Sequence, residues 1–258
     1  MAQNERNLHF LGLGYGYSKE YAYLCSSKEI IKMYYKKEFI RAICIYLITY
    51  LVLLVAVLGL LYAYPKPELH MMLNAHHTSC QDTFFKYYTL LAEWPLYVLA
   101  LIPLLWKKWK ITLFYAICEA TGGVFVQILK HLFSADRPIV VFENYPDMVL
   151  PLVEGVELHH SNSFPSGHTS TFFMFFTCMV IVMAYYYCKN DTLHNLKNRV
   201  LFYVATLLPL ALAALGGYSR IYLSQHFLSD VCVGSIIGVI TPFLMFFLCK
   251  DKILKIEN

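Results

Sequence analysis

Three short runs hold the residues able to do chemistry. KHLFSADRP (130–138) carries Lys130 and Arg137, SFPSGHTS (163–170) carries Ser166, Gly167 and His168, and GGYSRIYLSQHFLSD (216–230) carries Arg220, His226 and Asp230. Three fixed cations converging on one spot make poor surroundings for a metal ion and good ones for an anion. Arginine in particular suits the multidentate hydrogen bonding of phosphate oxygens. Pro165 suits a helix start, and Gly167 lets the backbone come close to a ligand. The amides around Ser166 and Gly167 then lie at a helix N-terminus, where unpaired N–H groups favour an anion. Were the stretch around His226 helical, Asp230 would lie one turn on, on the same face. A carboxylate there accepts from one ring nitrogen and leaves the other free to attack. His168, arriving from a different helix, can protonate a departing oxygen, a step typically worth about 10²–10⁴-fold. No G-x-S-x-G elbow is present, so a nucleophilic role for Ser166 is not required.

What must position these residues is a membrane bundle. Of 258 residues, 58% are hydrophobic and only 15% charged, and the mean hydropathy is +0.50. That profile excludes an ordinary soluble domain. Six apolar stretches approach the length of about 20 residues that a span needs: 39–63, 87–106, 111–131, 168–188, 199–217 and 231–249. Glu93, Pro95 and Pro103 interrupt the second, and the LWKKWK run closes it. The expected fold is an all-α integral membrane protein, a six-transmembrane-helix bundle over residues 39–250. An interfacial segment (1–38) precedes it and a cytoplasmic tail (251–258) follows. Ser26 and Glu29 fit a capping box, so the basic, apolar run IIKMYYKKEF after them is expected to lie on the membrane before the chain turns in. Residues 1–36 show no apolar core before a small-residue cleavage site, so insertion is expected to rely on the spans.

Lysine and arginine set the sidedness. With the N-terminus cytoplasmic, sixteen of the 21 basic residues fall on that side. The far side holds only Lys66, Lys86, Lys130, Arg137 and Arg220. Both termini are therefore expected in the cytoplasm and the active site at the exoplasmic face. The net charge of +4 belongs to the cytoplasmic leaflet, and no nucleic acid partner is implied. The eight cysteines form no C-x-x-C pair, and most sit in apolar runs as small buried hydrophobes.

Lys130-x6-Arg137-Pro138, Pro165-Ser166-Gly167-His168 and Ser219-Arg220-x5-His226-x3-Asp230 resemble the three-part signature of the type 2 phosphatidic acid phosphatase superfamily, in order and without departure. The resemblance implies a metal-independent, cofactor-free phosphatase. In it His226 would be the nucleophile that forms a phosphohistidine, Asp230 the residue that orients it, and His168 the general acid. Lys130, Arg137, Ser166, Gly167 and Arg220 would bind phosphate. The substrate it implies is a membrane-embedded phosphorylated lipid of the undecaprenyl pyrophosphate, lipid A, phosphatidate or phosphatidylglycerophosphate type. The alternatives are a soluble phosphomonoester, or a lipid-phosphate binding or transport protein without turnover. A compact chain of this kind suggests a bacterial inner-membrane enzyme working at the periplasmic face. Nothing in the sequence bears on oligomeric state.

Other polar residues read more plainly. Glu119 lies eleven residues before Lys130, about 16 Å along a helix, so it is expected to pack or to pair with another span, and Glu93 likewise. The pairs His76/His77 and His159/His160 are taken as solvated loop histidines, since adjacent side chains diverge too far to share a metal. Gly234-x-x-x-Gly238 reads as close helix packing. The acidic loop 139–164 is long for a connection and is expected to cover the site. With 65–86 it is the expected source of head-group selectivity.

Overall fold

The computed structural model describes the backbone of residues 14–189 and 196–253, with side chains over 37–106, 108–186 and 198–249. Among these residues every regular element is helical. Helix α1 (Gly14–Ala63) runs unbroken into its span from the segment expected to lie on the membrane. Ser26 therefore lies inside a helix rather than capping its start. The helix stops just before Pro65, which disfavours helical geometry in the residue preceding it.

Two short helices follow, α2 (Lys66–Leu73) and α3 (Ser79–Tyr88). Thr78 caps α3 by accepting from the Gln81 amide at 3.2 Å. A 3₁₀ turn over Thr89–Ala92 and an extended Glu93 (φ −80, ψ 145) lead into α4 (Trp94–Phe133). The second expected span is thus not one straight helix. Its halves, Ser79–Ala92 and Trp94–Trp106, meet at 63°, because Pro95 at the start of α4 lacks the N–H that a continuing helix would use. Among the described residues five helices are long and apolar enough to cross a membrane, or six if this bent pair counts as one span.

Helix α4 breaks at Lys108 (φ −146, ψ 53). Tyr97 Oη donates to the Tyr115 carbonyl at 3.4 Å, whereas a straight helix would hold residues eighteen apart about 27 Å from each other. The chain therefore folds back on itself at the LWKKWK run. Helix α5 (Pro138–Phe142) starts the long loop, and α6 (Gly167–Lys189), α7 (Leu196–Tyr222) and α8 (Leu228–Ile253) complete the bundle.

Helix α6 is the central post. Its Met174, Cys178 and Ile181 pack with Leu101, Phe114 and Tyr115 of the α4 hairpin. Its Phe173 and Val180 pack with Tyr46, Leu210 and Val239 of α1, α7 and α8. Lipid tails are as apolar as these side chains, so close packing and interhelical hydrogen bonds must do the joining. Tyr46 Oη lies 2.7 Å from Thr177 Oγ1 and Tyr50 Oη 3.1 Å from Ser235 Oγ. Gly234 and Gly238 lie against α6, where a methyl on either would sit 2.5 Å from the carbonyl of Ser166 or Ser170. Thr171 Oγ1 donates to Glu119 Oε1 at 2.6 Å, the cross-span pairing expected of that acid.

Candidate active site

The site lies where α4 ends, α6 begins, and α7 turns into α8. His226 is not on a helix. It occupies the turn over 223–227, and Asp230 sits in the first turn of α8. The pairing expected from one helical turn is made instead across the start of the helix. Asp230 occupies the third helical position and reaches back to the Phe227 amide (3.1 Å to Oδ2), half of a capping box. Its Oδ2 also accepts from Ser163 Oγ at 2.5 Å, and its Oδ1 from Ser229 Oγ at 3.0 Å. These donors leave Asp230 ionised beside His226 Nδ1, at 3.5 Å.

The tautomer of His226 follows from its neighbours. Arg137 can only donate, and its Nη1 lies 3.4 Å from Nε2. Nε2 is therefore the acceptor, and the ring proton resides on Nδ1, facing Asp230. Burial pushes the His226 imidazole down to about 3, with Arg220 and Arg137 adding to the effect and Asp230 opposing it. At neutral pH the ring is an uncharged base with a lone pair on Nε2.

Arg137 is buried and held by Ser161 O (2.9 Å), Gln225 O (3.1 Å) and Gln225 Oε1 (3.2 Å). Arg220, in the last turn of α7, donates to Thr89 Oγ1 at 2.6 Å, and its buried Nε has no protein partner. Lys130 interacts electrostatically with Arg137, Arg220 and Asp230, and His168 with Arg220, His226, Lys130 and Arg137. All eight residues singled out from sequence thus gather at one end of the bundle.

The helix N-terminus differs from expectation in one respect. The Ser166 amide is taken by the Asp230 carbonyl at 3.0 Å, a bond that ties the start of α6 to the start of α8. The Ser166 hydroxyl caps α6, accepting from Thr169 N (3.4 Å) and Thr169 Oγ1 (2.9 Å), and keeps its own proton to donate. Only the amides that follow, at Gly167 and His168, remain as first-turn donors. A methyl on Gly167 would meet only Val126, at 3.8 Å, so the glycine leaves open space rather than relieving a clash.

Ser163, Gln225 and Thr89 were not singled out from sequence. Ser163 stands three residues before Ser166, and that adjacency was its only signal. The long loop laces over the site, as expected. Ser224 Oγ donates to Pro151 O (2.8 Å), Gln225 Nε2 to Glu157 O (3.0 Å) and Lys86 Nζ to Glu154 O (2.9 Å). One histidine departs from expectation. His77 is no solvated loop residue: it stacks on Tyr222 with ring centroids 4.1 Å apart. Among the described residues no cluster of His, Cys, Asp and Glu has metal-binding geometry. An apolar cavity of about 270 Å³ lies between α1, α7 and α8, bounded by Ile221 and Leu228 on either side of the His226 turn.

Fold and site together define an integral membrane helical bundle with a strongly cationic, histidine-bearing cluster between its helix ends. The chain belongs to the PAP2 superfamily, whose profile matches residues 111–253, more than half of its length. Phosphatidylglycerophosphatase B of Bacillus subtilis is 32% identical over 128 residues, 49% of this chain and 57% of that protein. A PA-phosphatase related-family protein of Dictyostelium discoideum is 29% identical over 135 residues, 52% of this chain and 46% of that protein. The chain thus spans about half the length of these curated relatives. The crystal structure of Aquifex aeolicus LpxE matches with a TM-score of 0.52 and 25% identity, covering 72% of this chain and 97% of that one. A Bacillus subtilis transmembrane PAP2-type phosphatidylglycerolphosphate phosphatase matches with a TM-score of 0.53 and 21% identity, over 80% of this chain and 95% of that one, and shares its fold.

Proposed function

We propose that the protein removes a phosphate, or the terminal phosphate of a diphosphate, from a lipid whose tail stays in the bilayer. One observation carries the reading: three fixed cations, two of them buried, surround a neutral histidine base, with Asp230 the carboxylate at its side. Buried cations without full compensation are costly, and Arg220 Nε lacks a partner. A phosphate group supplies the missing charge and acceptors. Family membership and the phosphatase names of the relatives support the same reaction class.

In the proposed reaction His226 Nε2 attacks phosphorus and the bond to the lipid oxygen breaks. His168 delivers a proton to that oxygen, and the phosphoryl group rests on His226. Water, deprotonated by His168, then attacks phosphorus, the P–N bond breaks, and inorganic phosphate leaves. Asp230 holds the Nδ1 proton throughout. Lys130, Arg137, Arg220, the Ser166 hydroxyl and the Gly167 amide stabilise the equatorial oxygens. No step calls for a metal.

The apolar cavity beside the His226 turn and the lipid relatives favour an amphiphile over a soluble phosphomonoester. We place the site at the exoplasmic face of six spans, with both termini cytoplasmic, on the strength of the basic-residue bias. A bacterial inner membrane is the setting we propose, in keeping with the relatives from Bacillus subtilis and Aquifex aeolicus.

Phosphate release from mixed micelles containing phosphatidate, phosphatidylglycerophosphate, undecaprenyl pyrophosphate or lipid A, in excess EDTA, tests the reading. Activity on at least one is expected. It should fall to background in His226→Ala and by about 10²–10⁴-fold in His168→Ala. Acid-labile, base-stable labelling of the wild type by a ³²P-lipid marks the phosphohistidine. Full turnover by His226→Ala would sink the mechanism.

A further inference from the structure

The hydroxyl of Ser224, two residues before His226, anchors a chain of side chains that admits one arrangement of protons. Ser224 Oγ has a single proton and donates it to the Pro151 carbonyl at 2.8 Å. It must therefore accept from Asn74 Nδ2, also at 2.8 Å, and this fixes the orientation of the Asn74 amide. Asn74 Oδ1 is then the atom facing His77 Nε2 at 2.9 Å, so Nε2 carries a proton. The other ring nitrogen, Nδ1, lies 2.9 Å from the Asp82 carboxylate, which already accepts from Tyr222 Oη at 2.6 Å. A bare Nδ1 there would set two lone pairs against each other. His77 satisfies both acceptors only as an imidazolium.

One end of this chain lies in the catalytic turn and the other directly before it. Ser224 belongs to it, with a left-handed φ of 50, a conformation that a non-glycine residue needs outside help to hold. Tyr222 directly precedes it and offers its ring face to His77 at 4.1 Å between centroids. That contact favours a cation. Asn74 is fully buried, whereas His77 and Asp82 are 20% and 33% exposed. The titratable groups touching the ring are Asp82 of α3 and Tyr222 of α7. Next along the network stands His70 of α2, whose Nε2 is 3.5 Å from the same Ser224 hydroxyl. Lys86 of α3 is engaged by the Glu154 carbonyl.

We infer that His77, as an imidazolium acting through Asn74 and Tyr222, is a positioning residue that clamps the 223–227 turn and so aims His226. The inference rests on the phosphatase reading for its kinetic consequence and not for its structural one. Without the His77 ring, Asn74 Oδ1 and Asp82 lose this partner, and the turn loosens. The device makes turnover depend on a group that never meets the substrate.

The test uses the full chain in mixed micelles with phosphatidate, or whichever of the four lipids proves active. Wild type, H77Q and D82N are compared. H77Q is expected to show kcat about tenfold below wild type with KM within about twofold. D82N keeps the shape of the acceptor but not its charge, so kcat should fall in the same direction by a smaller factor, again with little change in KM. Hydrogen exchange over the 219–228 peptide, corrected for intrinsic rate, should show less protection in H77Q than in wild type. That readout holds whether or not any lipid is turned over, so it separates failure of the clamp from failure of the phosphatase reading. Unchanged kcat and unchanged exchange in both variants would overturn the inference. Should H77Q not fold, D82N alone decides.

Discussion

At the scale of single residues the site is governed by which proton donors each acceptor receives. Asp230 takes three donors besides His226, and Ser163 is the nearest at 2.5 Å. Removing it with Ser163→Ala should lower kcat about ten- to a hundredfold, the value of a hydrogen bond to a charged group, while KM barely moves. Steady-state kinetics on lipid micelles check this. His226 also carries a pH signature. Its unfolded imidazole takes up a proton near 6.5, but the folded one does so only near 3. The unfolded chain therefore binds a proton that the fold refuses, and the stability given by neutral His226 is full above about 6.5 and drains away as pH falls towards 3. Apparent unfolding temperature in detergent at a fixed heating rate should drop more steeply over that window in wild type than in His226→Asn. Equal slopes would contradict the assignment. Six of the eight residues picked out from sequence were legible because ionisable groups beside apolar spans stand out against their background, and Ser166 and Gly167 came with His168 in the PSGH run. Thr89, Ser163, Gln225 and Asn74 were not, because their types are ordinary at membrane edges. The partners of Thr89, Gln225 and Asn74 lie 131, 88 and 150 residues away.

At the scale of elements, the bundle depends on how closely α8 approaches α6. A methyl on Gly238 would come 2.5 Å from the Ser170 carbonyl, and backbone cannot yield as a flexible side chain can. Gly238→Ala should therefore destabilise by about 1–3 kcal/mol and lower the unfolding temperature. Gly123→Ala, on a helix face with nothing within 4 Å of the added methyl, should be neutral or slightly stabilising. Similar changes in both would mean that the close approach of α8 to α6 is not what Gly238 provides. The two glycines in α8 were readable from their spacing alone. The bend of the second span was only half readable. Glu93, Pro95 and Pro103 announced a weak helix, but the 3₁₀ turn is set by what it meets, since Thr89 there receives Arg220.

At the scale of the whole molecule, sidedness has a direct test in native cysteines. Cys80 is exposed on α3, near the site, and Cys249 sits at the far end of α8. In single-cysteine variants, a membrane-impermeant maleimide should label Cys80 in intact cells and Cys249 only after permeabilisation. The reverse pattern would invert the proposed topology. The bond between the Ser166 amide and the Asp230 carbonyl carries a consequence for biosynthesis. The residues of the site enter the membrane in the order Lys130, His168, Arg220, Asp230, and the last of them both lies beside His226 Nδ1 and pins the start of α6. A nascent chain whose final helix is still in the ribosome holds the cations but neither of those constraints. Under the proposed reaction, competence therefore arrives in one step, with the last span, and no shorter assembly intermediate would act on a lipid phosphate.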